Sequence, residues 1–108
     1  MKITTRTTPS GPVVTVAGDL DYETAGDLRS LVTALVLQPG QHLVLDLGAM
    51  EFCDSSGITA LIVARNHAQA ARAHILLTAV PANTLRLLRV SGLDRVFRVE
   101  AADGPAGP

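Results

Sequence analysis

The rhythm of hydrophobic and polar positions changes along the chain from alternation to helical spacing and back. Lys2 to Arg6 alternates threonine with apolar and charged residues, and the Thr-Pro-Ser-Gly-Pro stretch Thr8 to Pro12 carries turn chemistry. Val13 to Asp19, VVTVAGD, is β-branched at most positions. It predicts a strand that pairs back antiparallel on the first as a hairpin. From Thr24 to Leu37, Leu28, Leu31, Val32 and Leu35 recur at helical spacing while Asp27, Ser30 and Thr33 lie opposite. This predicts an amphipathic helix capped by Asp21 or Thr24, with Asp27 favoured in its first turn by the helix dipole and Pro39-Gly40 as its stop.

His42 to Leu47, HLVLDL, is a nearly unbroken apolar run, too short for a helix and suited to a central strand buried on both faces. A second helix capped by Asp54 or Ser55 is expected to run to about Ala73, followed by a buried strand from Ile75 to Val80 that Pro81 closes. Asn83 is the expected cap of a short third helix through Leu85, Leu88 and Val90, which Gly92 ends, and Val96 to Glu100 supplies a last strand. The order β-β-α-β-α-β-α-β implies an α/β fold: a mixed sheet of four to five strands, parallel in its later part, with right-handed crossovers laying helices against it. Residues 1–100 form the expected domain, and the tail AADGPAGP, 101–108, is expected to be disordered.

Composition narrows the function classes. A chain of 108 residues holds one domain, and 47% hydrophobic residues with 3% aromatics implies a Val, Leu, Ile and Ala core rather than a surface for stacking bases or sugars. A net charge of -1 lacks the electrostatic footprint of a nucleic-acid or anionic-membrane binder, so neither is an expected partner. The one cysteine, Cys53, cannot form an internal disulfide, and it reads as a buried small hydrophobe. His42, His67 and His74 lack metal-ligand spacing and read as surface or boundary residues. No signal peptide and no apolar run of the ~18 residues of a membrane span is present, so the expectation is a soluble cytoplasmic protein. No phosphate-binding loop of the P-loop or dinucleotide type occurs, and no cofactor is expected.

The chemistry concentrates in Met50 to Leu61, MEFCDSSGITAL, read as the connection between the central strand and the second helix. Beyond the carboxyl ends of strands in open α/β sheets, a helix N-terminus offers unpaired amides and partial positive charge. Ser55 and Ser56 stand there, and a hydroxyl in that place can be a cap, a nucleophile or a phosphate acceptor. Capping by Asp54 and Ser55, with Gly57 easing the turn, explains one serine and not both. The nucleophile reading lacks the glycine two places before the serine of a nucleophile elbow, and no histidine has the context of a triad. A phosphate on Ser56 would meet the helix dipole favourably and crowd Asp54. It could change a surface without unfolding the domain.

The run Phe52-Cys53-Asp54-Ser55-Ser56-Gly57-Ile58, together with Gly18-Asp19-Leu20-Asp21-Tyr22-Glu23-Thr24-Ala25, resembles the anti-sigma factor antagonist family within the STAS domains. The two motifs and the strand–helix order cover almost the whole chain. The resemblance implies a STAS-like fold and a bacterial partner switch without catalysis of its own. In that switch an unmodified antagonist binds an anti-sigma factor with a GHKL-type serine kinase fold and frees the sigma factor. The kinase then phosphorylates a serine of the Asp-Ser-Ser-Gly motif to release the antagonist, and a PP2C-type phosphatase resets it. The acceptor falls on Ser56, with Ser55 as the alternative in the doublet. Asp21 matches the acidic position of the first motif on a loop expected beside the acceptor. Ile58 stands where the family usually has Leu and Cys53 where Met is common, which bears on which anti-sigma factor is recognised. The alternative within the same domain class is a ligand-sensing or scaffold domain whose serines are never modified.

A projection of the second helix places Ala60, Leu61, Ala64, Ala68 and Ala71 on one side, where small side chains allow close packing on a sheet. Ile58 and Ile62 fall instead among Thr59, Arg65, Asn66 and Gln69. They are either a second core seam or, with Asp54, Ser55, Thr59 and Asn66, part of a docking patch beside Ser56. Arg86, Arg89, Arg95 and Arg98, interspersed with acids, read as a solvated face.

Overall fold

β-branched Val13 to Val16 pair with Arg6 to Ile3 across a tight turn, and this hairpin starts the sheet. The structure is a computed structural model that describes residues 1–102. In chain order its elements are β1 (Lys2–Thr8), β2 (Gly11–Leu20), α1 (Ala25–Ala34), β3 (His42–Cys53), α2 (Ser55–Ala70), β4 (His74–Val80), α3 (Ala82–Val90), a single 3₁₀ turn (Leu93–Arg95) and β5 (Arg98–Ala101). The sheet order is β1-β2-β3-β4-β5, with the first pair antiparallel and the others parallel. The expected α/β architecture with a mixed sheet is therefore present, with five strands. Of the tail expected over 101–108, Ala101 closes β5, and positions from Asp103 on lie outside the described residues.

Each crossover advances one strand in the same direction, so right-handed connections lay the helices on one face. That face carries the register-matched Val14, Leu45 and Leu77, all fully buried, with Leu28 and Val32 of α1 and Ala60, Leu61, Ala64 and Ala68 of α2 in the same core. The alanines admit the close approach that the sequence pattern implies. The opposite face, with Val44 beside Val13 and Leu76, is only partly buried.

Several boundaries differ from the sequence expectation, each for a local physical reason. β3 does not stop at Leu47 but runs to Cys53: register shifts between Thr15 and Ala17 and between Gly18 and Asp19 let β2 follow it past Gly48-Ala49. Met50 to Cys53 are thus strand, and the connection to α2 shrinks to Asp54. α1 ends at Ala34 rather than Leu37, because Leu35 turns to an extended backbone and the His67 ring of α2 meets its carbonyl oxygen at 2.7 Å. α2 ends at Ala70 rather than Ala73. The Ala73 amide donates to the Ala68 carbonyl at 2.8 Å and the Arg72 amide to that of Gln69 at 3.0 Å, a Schellman motif with Arg72 left-handed at φ 59°. α3 is capped by Pro81, so Asn83 lies within its first turn instead of before it. The last strand begins at Arg98 because the 3₁₀ turn ends at Arg95 and Phe97 drops into the core.

Candidate functional site

The carboxyl ends of β2 and β3 lie side by side, with Leu20 and Cys53 as register partners. The next residues, Asp21 and Asp54, therefore leave the sheet together, each into a helix. The two exits are tied, since the Asp54 amide donates to the Leu20 carbonyl at 3.3 Å. Asp21 and Thr24 close a reciprocal pair: the Asp21 amide donates to Thr24 Oγ1 at 2.9 Å, and Asp21 Oδ1 accepts from the amides of Glu23 at 3.0 Å and Thr24 at 3.2 Å. The Thr24 hydroxyl donates onward to the Asp19 carbonyl at 2.8 Å. The Asp21 carboxylate thus fixes the loop that leads into α1, at the same end of the sheet as Asp54.

Asp54 is the N-cap of α2, with extended backbone. Its Oδ1 accepts from the Ser56 amide at 2.8 Å and the Gly57 amide at 3.2 Å, and its carbonyl accepts the first intrahelical bond from Ile58 at 3.1 Å. Of the two caps offered by the sequence, Asp54 takes the role, and Ser55 becomes the first helical residue, exposed. Ser56 follows, half-buried. Gly57 answers a spatial need: a Cβ there would lie 2.7 Å from both the Leu20 carbonyl oxygen and the Cys53 sulfur. Only glycine lets the first turn of α2 sit this close to the end of β2.

Ser55, Thr59, Ile62 and Asn66 follow one line along α2; Ser55, Thr59 and Asn66 are exposed, and Ile62 is half-buried against the core. Ile58 departs from that line. It is 8% exposed and belongs to the hydrophobic core, so it supports the first turn from beneath rather than offering a surface. The core seam weighed for this pair in the sequence therefore holds for Ile58.

Two features of this end were not read from the sequence. Tyr22 is 84% exposed and Phe52 53% exposed, so two of the three aromatic residues of the chain face outward at the ends of β2 and β3. The available signal was an aromatic at a strand end in a chain with almost none. Beside Phe52 a cleft of about 310 Å³ opens between β3 and α3, lined among others by Met50, Cys53, Pro81, Thr84 and Leu87. The Cys53 thiol is buried there, and desolvation together with the charge of Asp54 raises its pKa to about 11, partly offset by a hydrogen bond with Thr84.

The histidines lie elsewhere. His67 meets Leu35, and His42 and His74 stack on each other with ring centroids 4.9 Å apart at the starts of β3 and β4. His42 and Cys53 are the first and last residues of β3, at opposite ends of the strand. Among the described residues no group of three or more His, Cys, Asp or Glu could hold a metal ion, and no helix is long and apolar enough to cross a membrane. At this end the side chains can cap, present hydroxyls and offer apolar surface.

A family model described as "Mlab, STAS domain" matches residues 3–99. Among solved structures, the chain is similar to an anti-sigma factor antagonist from Mycobacterium paratuberculosis, at 28% identity and TM-score 0.79 over 91% of this chain and 83% of that one. It shares its fold with the anti-sigma factor antagonist SpoIIAA in its unphosphorylated form, at 16% identity and TM-score 0.67 over 88% and 97% of the two chains. A sulfate transporter family protein from Wolinella succinogenes also has this fold, at 17% identity and TM-score 0.69 over 81% and 73%.

Proposed function

The chain belongs to the STAS domain family, and on that premise we propose that it is an anti-sigma factor antagonist switched by phosphorylation of Ser56. Unmodified, it binds an anti-sigma factor of GHKL-type serine kinase fold and thereby frees a sigma factor. The bound kinase transfers a phosphate to Ser56, the complex parts, and a PP2C-type phosphatase restores the serine. The chain supplies a surface and an acceptor hydroxyl; ATP and catalysis belong to the partner, and no cofactor is involved. Cytoplasmic residence follows from that role.

The observation that carries this reading is the placement of two serines on the first turn of a helix whose cap is supplied by a different residue. Because Asp54 satisfies the amides of Ser56 and Gly57, neither hydroxyl is needed to hold the turn. A group added to Ser56 leaves the fold in place and brings a charge of about -1.5 to -2 beside the Asp54 carboxylate. Asp21, Ser55, Thr59, Ile62 and Asn66 supply the contact surface around it, with the exposed rings of Tyr22 and Phe52 at its edge. The likeness at 28% identity to an anti-sigma factor antagonist supports the same reading.

The test is phosphopeptide mapping after incubation with a GHKL-type anti-sigma kinase and ATP, using Ser56→Ala and Ser55→Ala. Modification lost only in Ser56→Ala is expected. Loss only in Ser55→Ala moves the acceptor one residue upstream. The second reading, an unmodified ligand-sensing or scaffold domain, has the fold of the sulfate transporter family protein on its side, and absence of phosphate on either serine would favour it.

A further inference from the structure

We propose that a cleft between α2, β4 and β5 binds a small oxyanion of the phosphate type, free or as the terminal group of a small monoester. The cleft has a volume of about 230 Å³ and is lined by Arg65 and Gln69 of α2, His74 at the start of β4, Val96 and Arg98, with Ala73 and Ile75 forming its apolar wall. Arg98, read from the sequence as one of several arginines on a solvated face, is thus brought to the same cleft as Arg65, thirty-three positions away. Asp94 and Glu100 flank this segment in sequence, yet no acidic residue is among the described residues that line the cleft.

The lining is organised for an anion. The Nε–H of Arg65 donates to the Val96 carbonyl at 3.2 Å, which holds the guanidinium against the wall and leaves the N–H groups of its two terminal nitrogens for a ligand. The His74 ring is held by its stack on His42, 28° from coplanar. Gln69 adds a neutral donor. Two planar guanidinium forks match the oxygens of a tetrahedral anion in a way that a carboxylate fills less completely. A cleft of about 230 Å³ suits a phosphate or a small monoester. Arg65 lies nine residues, roughly 13 Å, along α2 from Ser56. The site therefore does not depend on the antagonist reading.

The test is an NMR titration of the ¹⁵N-labelled chain at constant ionic strength with inorganic phosphate, glycerol 3-phosphate and, as the carboxylate control, succinate. Saturable shifts are expected at the Arg65 and Arg98 Nε–H and the Gln69 side-chain amide for both phosphates, with succinate binding at least several-fold more weakly. Tighter binding of glycerol 3-phosphate than of phosphate identifies a monoester as the occupant, and the reverse identifies the free ion. Arg98→Gln, at an exposed strand position, should weaken binding roughly tenfold, as should Arg65→Gln if it folds. Shifts that grow linearly without saturation, that persist unchanged in Arg98→Gln, or that succinate matches would overturn the proposal.

Discussion

The carboxylate of Asp54 accepts the amide hydrogen of Ser56 at 2.8 Å, so the cap of α2 and the proposed acceptor are joined through the backbone while the serine hydroxyl stays out of the bond. Asp54→Ala leaves the Ser56 and Gly57 amides without this acceptor and should lower stability by about 1 kcal/mol, up to about 2. Asp54→Asn keeps an acceptor and should lose less. Urea denaturation of the three proteins checks the order, and equal losses in both variants would count against capping as the role of Asp54.

Gly57→Ala should be more damaging. A Cβ would press on the Leu20 carbonyl and the Cys53 sulfur at 2.7 Å, and on Leu20 Cγ at 2.9 Å. Backbone on one side and core on the other leave little room to yield, so a loss of about 1–3 kcal/mol is expected by thermal or chemical melting. A variant as stable as the parent would show that the first turn of α2 sits farther from β2.

Arg72→Gly should act in the opposite direction. Arg72 occupies the left-handed region at the end of α2, where an L side chain is strained and glycine is not. A gain of about 1 kcal/mol is expected, offset in part by the greater freedom of glycine in the unfolded chain. Denaturation midpoints decide, and a clear loss would contradict the Schellman geometry.

Cys53 makes a prediction in pH. Burial and Asp54 raise its pKa to about 11, whereas the thiol of the unfolded chain ionises near 8.5–9. The folded state holds the proton more tightly, so this contribution to stability is complete below pH 8.5 and declines as pH rises toward 11. Melting curves from pH 8 to 11 should therefore fall more steeply for the parent than for Cys53→Ser, and parallel curves would contradict the burial. At pH 8 the native thiol should also react with iodoacetamide roughly a hundredfold more slowly than in the unfolded chain.

What the sequence made legible was local. The Asp-Ser-Ser-Gly pattern announces a cap wherever it is placed, and the β-branched run of β2 announces a strand. The remainder depended on groups far apart in the chain. β3 reaches Cys53 because it carries two extra residues against β2, one between Asp46 and Ala49 and one at Glu51, and nothing in the apolar run His42 to Leu47 records those bulges. α1 ends early where His67, thirty-two residues away, meets Leu35. Ile58 and Ile62 look alike on a helical projection, but the close seat of Gly57 on Leu20 turns the first turn of α2 inward and takes Ile58 into the core. The union of Arg65 with Arg98 is likewise a product of the crossover from α2 through β4 to β5.

The central claim is that a phosphate on Ser56 dissolves a protein complex while leaving the domain folded. Isothermal titration of the anti-sigma kinase with the unmodified chain and with the chain phosphorylated at Ser56 measures it most directly, with circular dichroism as the check on folding. A mismatch of ~3 kcal/mol at the interface corresponds to about a hundredfold loss of affinity. The account predicts a loss of that order with unchanged circular dichroism, and Ser56→Ala binding as the unmodified chain does. Equal affinity of the modified and unmodified chains, or a loss of affinity matched by loss of folded structure, would contradict it.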